Sequence, residues 1–128
     1  MDITESGFKY DVEINRGGSE GVSKMKVFCF DLMLLQLMTP TTGRIDFLVH
    51  DSGLFDGVDE RQRALALERA SEITEESGAQ YICALNSDMV PRGEFSDGFE
   101  FEKYVRLTLT DKNPSDSVLG FHFERPRK

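Results

Sequence analysis

Between Ile45 and Gln62 the chain gathers the residue types from which a metal- or nucleotide-handling site is made. An apolar run, Phe47-Leu48-Val49, leads through His50 to the carboxylate of Asp51, then to the turn residues Ser52-Gly53, then to Asp56, Asp59 and Glu60 ahead of a helical pattern. In an open α/β sheet ligands sit outside the carboxyl ends of the strands, so an acid placed just after a buried run faces that crevice. One carboxylate is enough there, because a Mg²⁺ ion bridging nucleotide phosphates is commonly held by one or two carboxylates plus water. Asp51 is therefore the candidate metal ligand. The plainer reading is that Asp51 and Ser52 cap a turn, which Asp and Ser do readily. A second candidate lies upstream in Arg16-Gly17-Gly18-Ser19-Glu20-Gly21, a glycine loop leading into a helix. The free N–H groups and positive dipole end at such a position suit an anion.

The elements that must position these residues follow from periodicity. Phe8, Tyr10, Val12 and Ile14 alternate with polar residues and predict a strand. A helix is expected from about Val22 or Ser23 to Met38, apolar almost all the way round and so buried on most sides. It is shorter than the ~20 apolar residues of a bilayer span and is interrupted by Lys24, Lys26, Asp31 and Gln36, so no membrane segment is expected. The cluster Thr39-Pro40-Thr41-Thr42-Gly43 should end it and turn the chain into the strand at 45–50. A second helix begins near Asp59, with Ala66, Leu67, Ala70 and Ile73 on its inner face and Gly78 as its stop. Gln80 to Leu85 is the next strand, parallel to the last by the rule for helical crossovers and ending in Asn86-Ser87-Asp88. The polar stretch 88–98 reads as a surface loop or lid. Tyr104–Leu109 and Val118–Phe123 read as an antiparallel hairpin turning through 111–116. The fold class is α/β: a partly parallel sheet, two covering helices and a C-terminal antiparallel hairpin.

Composition narrows the function classes. The 128 residues suit one domain, and a formal charge of −8 disfavours a surface devoted to nucleic acid or anionic membrane. The basic end Arg125-Pro126-Arg127-Lys128 reads as a solvated tail. Cys29 and Cys83 sit among apolar neighbours and read as small core residues rather than a disulfide, and with no apolar signal core near the N-terminus the expected setting is cytoplasmic.

The order of strand, glycine loop, long apolar helix, strand ending in Asp, acidic turn, helix and strand ending in a polar triplet resembles the C-terminal half of an ABC-type ATPase head of the SMC and RecN kind. Met25–Leu32 and His50–Gln62 in particular look like the family of unknown function at the C-terminus of bacterial coiled-coil ATPases, and the likeness covers about residues 8–124. The resemblance implies that Ser19-Glu20-Gly21 is a signature-like loop touching the γ-phosphate bound by an opposite subunit. It implies that Asp51 is the Walker B acid holding Mg²⁺, that Val58-Asp59-Glu60 is a D-loop, and that Asn86-Ser87 belongs to the switch after the next strand. ATP and Mg²⁺ would then be bound only in a complete head. The implied partners are an N-terminal lobe or chain carrying the Walker A loop and a second copy in a homodimer, with DNA reached only through the full-length assembly in maintenance or defence.

The departures from that pattern matter as much. Ser52 stands at the position of the catalytic Glu, and a hydroxyl cannot take a proton from water at neutral pH as a carboxylate does. Asp56 and Glu60 are the acids available as substitutes. No Gly-x-x-x-x-Gly-Lys-Ser/Thr occurs, so the phosphate loop is missing and the chain alone is expected to be inactive. Without a second lobe, apolar surface of roughly several hundred Å² should be left uncovered. Two other readings compete: a non-catalytic dimerisation or interaction module, and a small Mg²⁺-dependent phosphodiester hydrolase built on Asp46, Asp51 and Asp56. The second needs its acids to converge, whereas Asp46 and Asp51 lie five residues apart on one strand.

Overall fold

A computed structural model describes residues 2–4, 7–9, 18–43, 45–110 and 112–121. Two short antiparallel strands, β1 (Asp2–Thr4) and β2 (Gly7–Lys9), come first. The strand expected over Phe8–Ile14 is described only at its start, since residues 10–17 lie outside the described set.

Ser19 opens α1 (Glu20–Thr42), its hydroxyl accepting from the Val22 N–H at 3.3 Å, a cap for one of the donors that a helix start leaves unpaired. The helix runs four residues beyond the predicted stop at Met38. Pro40 lies in its last turn, where the proline ring removes a single N–H. The Thr39 and Thr41 hydroxyls donate to the Leu35 and Leu37 carbonyls beside it. Gly43, at φ 60°, closes the helix by donating to the Met38 and Thr39 carbonyls. The expectation of burial on most sides is corrected: Phe28, Leu32 and Leu35 are buried, but Val27, Cys29, Met33 and Leu37 face outward. One helix and a two-stranded sheet can cover a single stripe of α1 and no more.

The chain next forms β3 (Phe47–His50), α2 (Glu60–Ser77) and β4 (Gln80–Cys83). The strands pair in parallel with Phe47 opposite Gln80 and His50 opposite Cys83, as a helical crossover requires. α2 is capped by Asp59 and stopped by Gly78, and it buries Ala64, Ala66, Leu67, Ala70 and Ile73 against α1 and the sheet. Among the described residues of this unit, the helices cover one face of the sheet. Phe47, Val49 and Ile82 on the other are 59%, 55% and 45% exposed, an unusual condition for parallel strands, which are ordinarily sandwiched between helices. The molecule is thus mixed α/β, with two helices and a small two-stranded parallel sheet.

The stretch expected as a surface loop or lid is a mostly exposed loop tied down at two points. Pro91 is fully buried, and the Ser96 N–H and hydroxyl both donate to the Glu68 carboxylate of α2, at 2.6 and 2.9 Å. Residues 98–128 form a second unit. In it Phe99 and Tyr104 stack with ring centroids 5.3 Å apart, and the Thr110 N–H reaches across the 111–116 turn to the Asp116 carbonyl. The predicted hairpin is not seen among the described residues: 105–110 carry no regular structure, 118–121 lie in a turn, and 111, 122 and 123 of the predicted hairpin fall outside the described residues. Val105, Leu107 and Leu109 alternate in sequence, but all three are exposed, so the pattern has no buried surface to fix a register. No described helix is long and apolar enough to cross a membrane.

Candidate functional site

Both strands point the same way, so the residues that follow them, Asp51-Ser52 and Ala84 to Ser87, leave the sheet at one end. After Asp51 the chain makes one turn of 3₁₀ helix over Ser52–Phe55. Phe55 is fully buried, Val58 nearly so, and Gly57 between them takes φ 71°, a left-handed turn that lets both side chains enter the core. The acidic turn is therefore anchored by its two apolar residues, which leaves Asp51, Asp56, Asp59 and Glu60 exposed.

The N-terminus of α1 meets this turn. A Cβ on Gly21 would run into the Gly57 carbonyl, so only glycine permits the approach. Lys24 donates from Nζ to the Asp56 carbonyl at 3.0 Å and pairs with Glu20 at 3.0 Å. Lys24, Val49, His50, Asp51, Gly53 and Leu54 line an open pocket of about 570 Å³ at the end of β3.

The fold thus sets the start of α1 against the acidic turn, Gly21 on Gly57 and Lys24 between Glu20 and the Asp56 carbonyl, while Asp51 shares its pocket with Lys24. Among the described residues no hydrogen bond or ion pair joins Ser19, Glu20 or Gly21 to Asp51 or Ser52. Asp59 and Glu60 follow directly, Asp59 capping α2 by accepting from the Arg61 N–H at 3.1 Å. Asn86 and Ser87 stand beyond β4 at the same end of the sheet; the Ser87 carbonyl accepts from Arg92. Asp51 does cap its turn, its Oδ1 accepting from the Gly53 N–H at 3.0 Å. Asp46 precedes β3 and Asp51 follows it, which at ~3.3 Å per residue sets them about 16 Å apart along the strand. No three acid, His or Cys side chains converge as a metal cage among the described residues.

Sequence reasoning passed over a polar chain beneath the sheet. His50, only 9% exposed, has Nε2 3.1 Å from Asp31 Oδ2 and Nδ1 3.2 Å from the Tyr81 hydroxyl, with the Phe28 and Tyr81 rings 5.7 and 5.6 Å from its own. The alternation of β3 signals that His50 points away from Asp51, but nothing local signals its partners 19 and 31 residues away. Cys83 lies on the same face of β4 as Tyr81, half-buried, while Cys29 is exposed and so corrected from the expected core position; both thiols are free.

Burial holds the Tyr81 phenol well above its ordinary value of 10.0, and the charge and hydrogen bonding of Cys83 add to the rise. Cys83 is also raised, by burial first and by the charge of Asp51 as well, while its hydrogen bond to Tyr81 works the other way. Cys83 and Tyr81 release their protons earlier in the unfolded chain, near their ordinary values of 9.0 and 10.0, than in the folded one, so the folded state holds more protons in that range. Stability is then complete below about pH 8 and falls as pH rises. Urea midpoints measured from pH 8 to 11 should decline, and Tyr81→Phe should flatten the part above about pH 10. A midpoint constant across that range would contradict the burial of both groups.

The model of a protein family conserved in bacteria and described as uncharacterised, DUF2326, matches residues 1–123 of this chain. No curated protein and no solved structure matches it.

Proposed function

We propose that this chain, which belongs to the bacterial family DUF2326, is the C-terminal lobe of an SMC- or RecN-like ATPase head and completes an ATP–Mg²⁺ site whose phosphate loop comes from another lobe or chain. The observation that carries the reading is the packing of the first turns of α1 on the acidic turn that follows β3, with Lys24 lining the pocket at Asp51. Ser19–Gly21 opens α1, Asp51 leaves the strand, and the Asp56–Asp59 turn is bonded to α1 by Lys24. In this reading Asp51 holds Mg²⁺ and Ser19–Gly21 addresses the phosphate of an opposing subunit. Asp56 or Glu60 polarises the attacking water in place of Ser52, and Asn86 and Ser87 line the far wall.

The open face of the sheet also supports a second reading, a non-catalytic module that associates through Phe47, Val49 and Ile82, either with a second copy or with the missing lobe. One experiment separates the two. The chain is assayed for ATP hydrolysis with Mg²⁺ alone and mixed with a polypeptide bearing a phosphate loop, and the same samples are run in the ultracentrifuge. The composite-site reading expects no turnover alone, turnover in the mixture, and a loss of roughly 100-fold or more with Asp51→Asn. Association without turnover selects the interaction module, and turnover by the chain alone removes the composite site.

A further inference from the structure

Two side chains of α1 hold the segment around Asp51 from either side. Lys24 and Asp31 are seven residues apart, two helical turns, and so lie on one face of the helix. Lys24 donates to the carbonyl of Asp56, five residues beyond Asp51, at 3.0 Å, and Asp31 accepts from His50, the residue before Asp51, at 3.1 Å. Between them on the same face Phe28 packs against the rings of both His50 and Phe55, with centroids 5.7 and 6.0 Å apart. Asp51 itself makes a local bond, to the Gly53 N–H at 3.0 Å. Its location therefore depends on where the ends of this short segment are tied; β4 pairs with His50 and the core holds Phe55, and α1 adds a polar tie at each end.

We infer that α1 sets the position of the Asp51 carboxylate, with Lys24 acting through the Asp56 carbonyl and Asp31 acting through His50 as positioning residues. Because Ser19 and Gly21 open the same helix, a partner that engages the start of α1 pulls on the segment that carries Asp51. This last step rests on the composite-site reading; the positioning itself is a property of the free chain and is tested without nucleotide.

The test is amide hydrogen exchange of the whole chain by NMR, read at Gly53, whose N–H reports the Asp51 bond, and at Ala70 in the buried face of α2 as a measure of global opening. Lys24→Met and Asp31→Leu should each speed Gly53 exchange by about tenfold, the size expected for losing a hydrogen bond to a charged group, and leave Ala70 unchanged. Lys24→Arg and Asp31→Asn keep a donor and an acceptor and should restore slow exchange. A site held merely by bulk packing would show no such rescue. Gly53 exchange unchanged in both truncations, conservative variants as fast as the truncations, or equal acceleration at Gly53 and Ala70 would each overturn the inference. Absence of turnover when the unaltered chain is mixed with the phosphate-loop polypeptide, with Gly53 exchange responding as expected, would instead count against the composite site and leave the positioning standing.

Discussion

Phe55→Ala should destabilise the chain by about 3–5 kcal/mol, the usual penalty for removing a buried phenylalanine whose surroundings cannot collapse. Phe55 is fully buried and packs on Phe28, and with Val58 it fixes the acidic turn to the core. For a domain whose whole stability is about 5–15 kcal/mol this is a large share. Urea denaturation followed by circular dichroism measures it. A change under 1 kcal/mol would mean that the turn is held by its polar contacts alone. Phe55→Leu, which keeps most of the volume, should lose far less.

The second large effect is expected at His50. His50→Leu keeps an apolar side chain beneath the sheet but leaves the Asp31 carboxylate and the Tyr81 hydroxyl without their shared partner. Each orphaned polar group costs about 1–3 kcal/mol when buried. Asp31 is 31% exposed and can recruit water, so the lower part of that range applies to it, and the total should be about 2–3 kcal/mol. Tyr81→Phe, which removes only one end of the chain, should lose less than half as much. An unaltered midpoint in His50→Leu would show that these contacts add nothing beyond packing.

The sequence exposes the parts of this fold that carry their own pattern. α2 repeats its apolar residues at three and four, has a capping Asp59 and a stopping Gly78, and is found within a residue of the expected limits. β3 and β4 are short apolar runs flanked by polar residues, and a helix between them makes the parallel pairing predictable. α1 was harder at both of its properties. It runs past Met38 because Pro40, which usually breaks a helix, is tolerated where threonine hydroxyls and Gly43 occupy nearby carbonyls. It is less buried than its composition predicts because an apolar helix shows how much it can bury, not how much its neighbours can cover.

The candidate site divides in the same way. Asp51, Asp56, Asp59 and Ser19 were legible because each lies at the edge of an element, where strand ends and helix caps leave local marks. Lys24, Asp31 and Tyr81 were not, since their roles depend on helix and strand faces that come together only in the folded chain. The alternation at 105–109 shows the converse failure: Val105, Leu107 and Leu109 keep the period of a strand but stay exposed, and no ladder forms among the described residues.

The parallel pairing also sets an order of events during synthesis. Phe47 must find Gln80, 33 residues later in the chain, and no hairpin can bring the two strands together sooner. At roughly 5–20 residues per second, Phe47-Leu48-Val49 leaves the ribosome about 2–7 s before its partner strand exists. During that interval it is an uncharged apolar strand with two open edges, the kind of segment that seeds aggregation. Asp46 and Asp51 stand immediately on either side of the run with His50. Charges set at the ends of an apolar run oppose its association with like segments, so Asp46 and Asp51 stand where such gatekeepers are placed before the fold exists.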